Sequence, residues 1–195
     1  MRNTRAAAIA IAILMSIGPV LAIDPPSIAD DLSPKFAVDS YGEAWVTWWC
    51  DLTTDQVHLR KYSFETMSYG PDRVVSGGTE NARNPEIAYD GIDMAIAYEV
   101  HGATGTSIKA GIIADEPDPI PTVTLRTTTY AGPLSVQIQS EASHLWVTWI
   151  DDGSYVGWSE FSYATQQWSA PAYSCYTGSS VAAVRGAIQA SVMGE

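Results

Sequence analysis

The 195-residue sequence is poor in positive charge: ten Lys and Arg stand against 22 Asp and Glu, a formal net charge of −12. Such a surface repels nucleic acid and anionic lipid, and both are set aside as partners. Histidine is scarce, with His58, His101 and His144 too far apart for zinc-ligand spacing. There are two cysteines, Cys50 and Cys175. They suffice for one disulfide in an oxidising compartment but not for a disulfide-framework fold. Helical periodicity is lacking beyond the N-terminus, and no second apolar stretch approaches the length of a membrane span. The sequence has no G-x-S-x-G, no H-E-x-x-H and no phosphate-binding glycine loop. The sequence signals for serine-hydrolase, metalloprotease and nucleotide chemistries are therefore weak.

The N-terminus reads MRNTRAAAIAIAILMSIGPVLA, with Arg2 and Arg5 before an apolar run and Val20-Leu21-Ala22 as a small-residue cleavage site. This predicts a signal peptide over 1–22 and a secreted or periplasmic mature chain. Loss of Arg2 and Arg5 would make the mature chain more acidic still. Residues 23–31 form a short lead-in.

Aromatic residues carry the main signal. WVTWWCD (45–51) returns as WVTWIDD (146–152), 101 residues later. A related unit lies between them. Ser33-Pro34-Lys35-Phe36 leads to Trp48, Asn84-Pro85-Glu86-Ile87 to Tyr98, and Gly132-Pro133-Leu134 to Trp149. In this alignment the prolines fall 51 and 48 residues apart and the closing aromatics 50 and 51 apart. YSFETMSY (62–69) also returns as FSYATQQW (161–168), followed by strand-like Arg73–Ser76 and Pro171–Ser174. Turn residues, Ser68-Tyr69-Gly70-Pro71 and Asp90-Gly91 among them, separate the segments.

Four short strands per unit of about 50 residues predict an all-β, β-propeller-type chain of tandem four-stranded blades. The expected blades are 32–79, 80–130 and 131–180, with 181–195 as a closing strand or the start of a fourth. A β-sandwich is the alternative architecture, but it leaves the period unexplained. A blade has a neighbour on each face, and bulky rings let a short strand fill both gaps. Trp45, Trp48, Trp146 and Trp149 are assigned to blade packing on that ground. Three blades and a strand fall short of a closed ring, which implies either further blades beyond Glu195 or a homo-oligomer.

With these residues in place, the sequence resembles the sialidase-like (BNR, Asp-box) propeller superfamily over residues 32–180. Ser63 with Tyr69, and Ser162 with Trp168, follow the outline of its Asp-box without the aspartate and glycine. The resemblance implies a common face where first strands begin and second strands end. Trp49, Asp51, Arg83, His101, Asp151 and Asp152 fall there as candidate ligand-binding residues, with Trp49 as a stacking platform or, alternatively, an inter-blade packing residue. A sialidase would also need three arginines around a carboxylate, a tyrosine nucleophile with a glutamate, and an acid/base aspartate. Here only Arg83-Asn84-Pro85 echoes its R-I-P motif. The expectation is therefore no catalytic residue and no cofactor, in a secreted module that binds a glycan or an extracellular protein. The alternative is the N-terminal part of a larger exported sialidase-type glycoside hydrolase. Asp151-Asp152-Gly153-Ser154 and Asp115-Glu116-Pro117-Asp118 read as solvated turns, with calcium as their alternative occupant.

Overall fold

The computed structural model describes residues 31–51, 53–113, 120–141, 144–151 and 155–175. The leader at 1–22, Asp152, the acidic run 115–118 and the 181–195 segment lie outside them. No helix occurs among the described residues, and every strand pairing is antiparallel.

Three sheets follow one another along the chain. The first runs β1 (Asp31–Val38), β2 (Ala44–Cys50), β3 (Gln56–Ser63), with an outer edge shared by β4 (Ser68–Tyr69) and β5 (Arg73–Val74). The second is β6 (Ala82–Tyr89), β7 (Met94–Gly102), β8 (Gly105–Ile113) and β9 (Val123–Thr128). The third repeats the plan of the first, with β10 (Gln137–Glu141), β11 (His144–Asp151) and β12 (Tyr155–Ser162), edged by β13 (Gln167–Trp168) and β14 (Ala172–Cys175). The chain is an all-β, propeller-type series of blades. Three described blades are fewer than the four to eight of a closed ring. Three sheets meeting at two seams are not the two facing layers of a sandwich.

The outer edges differ from the sequence expectation. Ser68-Tyr69, read as a turn, is strand β4. Tyr69 lies opposite Tyr62 with ring centroids 4.8 Å apart, and Trp168 lies opposite Phe161 at 5.3 Å. Such cross-strand aromatic pairs stabilise a two-residue ladder that backbone propensity alone would not hold. The Asp-box outline spans the tight turn before each pair. Ser63 and Ser162 accept from the amides of Thr66 and Thr165, both at 3.4 Å, and Met67 and Gln166 take positive φ.

The central strand of each blade shows why aromatic and β-branched residues recur. Alternate residues of β7 face opposite seams. Ile96 and Tyr98 enter the cluster shared with the first sheet, while Ala95 and Ala97 enter the one shared with the third. Trp45 and Trp149 fill the two seams, and Trp48 is buried with Val46 and Cys50 on the other face of the first sheet. Trp146 departs from this scheme: it is half-buried and stacks on His144 at 5.2 Å.

Polar links also cross the second seam. Ser140 Oγ donates to the Tyr89 carbonyl at 2.8 Å, and the Tyr163 hydroxyl donates to Asp90. Burial, followed by the Asp90 contact, pushes the Tyr163 phenol well above its ordinary range. At the first seam, burial pushes Tyr98 up to about 12. A phenol raised in the folded state contributes stability below the unfolded value of 10.0, and that contribution fades as pH climbs towards about 12. Urea unfolding midpoints should hold steady to the upper edge of neutrality and then fall through this alkaline window. Tyr163→Phe should blunt the fall; a flat profile, or one that the variant leaves unchanged, would contradict the assignment.

Candidate functional site

The inner strands of the three blades share a local irregularity that the proline alignment obscured. Leu32 pairs Trp49 and Lys35 pairs Thr47, with a bulge between them; Arg83 pairs Glu99 and Glu86 pairs Ala97, again with a bulge between. In the third blade the Ile150 amide donates to Leu134 O and Gln137 pairs Thr148. Ser33, Asn84 and Ser135 are therefore equivalent, at steps of 51 residues. All three have left-handed backbones, with φ of 51°, 51° and 52°. The residue structurally equivalent to Pro34 and Pro85 is Val136, three positions beyond Pro133. The sequence alignment of the third unit is thus shifted by three residues. Serine and asparagine tolerate left-handed backbone through local side-chain hydrogen bonding better than branched residues do.

These three bulges converge on an open cavity of about 220 Å³, also lined by Lys35, Glu86, Glu99 and the prolines 85 and 133. Its charged groups come from two blades. Lys35 Nζ of β1 and Glu86 Oε1 of β6 are 2.8 Å apart across the seam. Glu99, on β7, is wholly buried. Its Oε1 accepts from the amides of Leu134 (3.1 Å) and Val136 (3.3 Å), which straddle Ser135. Its Oε2 takes Asn84 Nδ2 at 3.2 Å and His101 Nε2 at 2.9 Å. A buried carboxylate requires such saturation.

Of the six residues singled out from the sequence, the four whose side chains are described, Trp49, Asp51, Arg83 and His101, are not among the lining residues. Arg83 and His101 flank it, the first beside Asn84 in the chain and the second through Glu99. Trp49 packs against the first seam cluster, and the Arg83 guanidinium lies 5.1 Å from its ring centroid. Arg83 Nε also pairs with Asp55. Trp49 is thus half-buried at the seam, with Arg83 over its ring. Asp51 is exposed just past β2. Asp151 ends β11, where its backbone pairs Tyr155; its side chain and the whole of Asp152 lie outside the described residues. Cys50 is buried and Cys175 ends β14, with the Cys175 side chain outside the description. Sequence reading missed Ser33, Lys35, Asn84, Glu86, Glu99 and Ser135 as site residues. A lone glutamate inside the apolar run MAIAYEVHG was a usable signal for one of them, since such a group must find partners when buried.

The sequence matches no family model and no curated protein. Among solved structures, the chain is similar to a subtype N10 neuraminidase-like protein of A/little yellow-shouldered bat/Guatemala/060/2010. The TM-score is 0.51 at 10% identity, covering 80% of this chain and 46% of that one. A weaker likeness, TM-score 0.41 at 9% identity, is to Morganella morganii TcdA4, covering 83% of this chain and 8% of that one. The likeness is one of fold alone, a propeller-type series of antiparallel blades. The chain spans less than half the length of the neuraminidase-like protein. Arg83 lies over Trp49, Arg60 over Trp48 and Arg126 over Tyr173.

Proposed function

We propose that this chain is an exported binding module that takes a carbohydrate in the cavity where its inner strands meet. The observation that carries the reading is the convergence of three equivalent left-handed bulges, from three blades, on one polar cavity. At about 220 Å³ it is smaller than the roughly 300–1,000 Å³ typical of drug-sized ligands. That suits a single sugar ring or a chain terminus. Hydroxyl, amide, ammonium and carboxylate groups around it match a ligand rich in hydroxyls. Export rests on the leader. A second reading is favoured by the shortfall of blades: the chain serves as part of a larger exported sialidase-type protein, with the same cavity contributing to its ligand site.

The test is a glycan array on the purified chain and on a Ser33→Asn, Ser135→Asn variant. Asparagine accepts the left-handed backbone, so the variant should fold while its larger side chains fill the cavity. Wild type should give defined glycan signals and the variant should lose them by about tenfold or more, as when polar contacts go unpaired. A silent wild-type array, or signals indifferent to the filling, would remove the carbohydrate reading in favour of a protein partner.

A further inference from the structure

We infer that the ligand of this cavity is an uncharged polyhydroxylated molecule, a neutral sugar rather than an acidic one, read by the Lys35–Glu86 pair. The inference rests on the binding reading above and deepens it. Among the described residues three ionisable side chains line the cavity, two acids and one base. Glu99 is out of a ligand's reach, because its carboxylate has no exposure and is already engaged by Leu134 N, Val136 N, Asn84 Nδ2 and His101 Nε2. Its place is structural, tying the bulges of the second and third blades together.

That leaves Lys35 and Glu86, with side chains 44% and 23% exposed and 2.8 Å apart. Their charges cancel at the point of contact. An anionic ligand drawn to Lys35 would have to sit beside the Glu86 carboxylate, and like-charge juxtaposition opposes it. A neutral diol meets no such opposition. One ammonium N–H and one carboxylate oxygen are committed to the pair, while lysine has three donors and glutamate a second oxygen. One hydroxyl of the diol can accept from Lys35 while its neighbour donates to Glu86. Both bonds are charge-assisted, and the pair need not part. Ser33 and Ser135 add hydroxyls that can give or receive. Among the described residues no arginine lines the cavity, so none of them offers there the planar fork that grips carboxylates.

The experiment titrates the chain with methyl glycosides of gluco, galacto and manno configuration and with the matching uronic acids, at low and high salt, followed by amide NMR shifts. A neutral glycoside should bind with an affinity that salt leaves unchanged, and its uronic acid should bind about tenfold more weakly or not at all. Glu86→Gln should reverse the preference, releasing Lys35 to take the acid and making that binding salt-sensitive. A uronic acid that binds wild type more tightly, and loosens with salt, would overturn the inference while leaving the binding reading standing. No shift with any sugar, neutral or acidic, would sink the binding reading itself. The wild-type comparison decides the matter even if Glu86→Gln does not fold.

Discussion

Glu99→Ala should lower the unfolding free energy by about 3–5 kcal/mol, the range seen when one partner of a buried charged network is removed. The reason lies in what is left behind. Four donors converge on this carboxylate: the amides of Leu134 and Val136, the Asn84 side chain and His101. Truncation leaves all four without their acceptor at once, and each buried unmade hydrogen bond costs about 1–3 kcal/mol. Asn84→Ala, by contrast, removes one donor and leaves three, and with the added strain of alanine on a left-handed backbone about 2 kcal/mol is expected. Glu99→Gln should fall between the two. Its oxygen can keep the pair of backbone amides, but its NH₂ then faces two other donors, and His101 must change tautomer to accept. Urea unfolding midpoints for the three variants, at equal m, provide the check. A Glu99→Ala variant as stable as Asn84→Ala would show that the carboxylate does not hold the seam.

The same position shows why part of the site was hidden in the sequence. Trp49, Glu99 and Ile150 are equivalent in the three blades, each opposite the start of its inner strand. Trp49 meets Arg83 from the next blade through its ring, whereas Glu99 meets the next blade through backbone amides. Amides carry no side-chain signature, so nothing in the letters 134–136 announces that a glutamate 35 residues earlier belongs to them. The blade pattern was legible because it depends on side-chain size: WVTW has to fill seams on both faces of a narrow sheet. The left-handed bulges were legible only in part. Pro34 and Pro85 mark two of them 51 residues apart, but Pro133 is a proline of the preceding loop and drew the third unit out of phase. Trp49 stands out in the sequence, yet whether it faces solvent or a seam depends on Arg83, which comes from the next blade and is held there by Asp55.

Trp149→Ala should be as damaging as the loss of Glu99, at about 3–5 kcal/mol for an aromatic deleted from a core. The indole is 1% exposed and sits in the second seam among Leu145, Val147, Ile138 and Phe161. It fits there because the residue across the ladder is Gly157. A Cβ at 157 would lie 2.3 Å from Trp149 Cε2, so the ring rests directly on the backbone of β12. Gly157→Ala alone should therefore cost about 1–3 kcal/mol through overpacking. In the first blade the matching tryptophan, Trp48, faces His58 and stacks on its ring with centroids 5.4 Å apart. Near-identical heptapeptides thus pack against unlike partners, and their mutants should differ accordingly. Trp149→Leu combined with Gly157→Ala should recover part of the two single losses, since the added methyl occupies space that the indole vacates. A double-mutant cycle reads the coupling directly, with about 0.5–3 kcal/mol expected for residues in contact. Strict additivity would mean that the ring does not lie on Gly157. The equivalent cycle at Trp48 and His58 supplies the control: there His58→Ala opens space beside the ring, and no leucine at 48 can relieve a clash that does not exist.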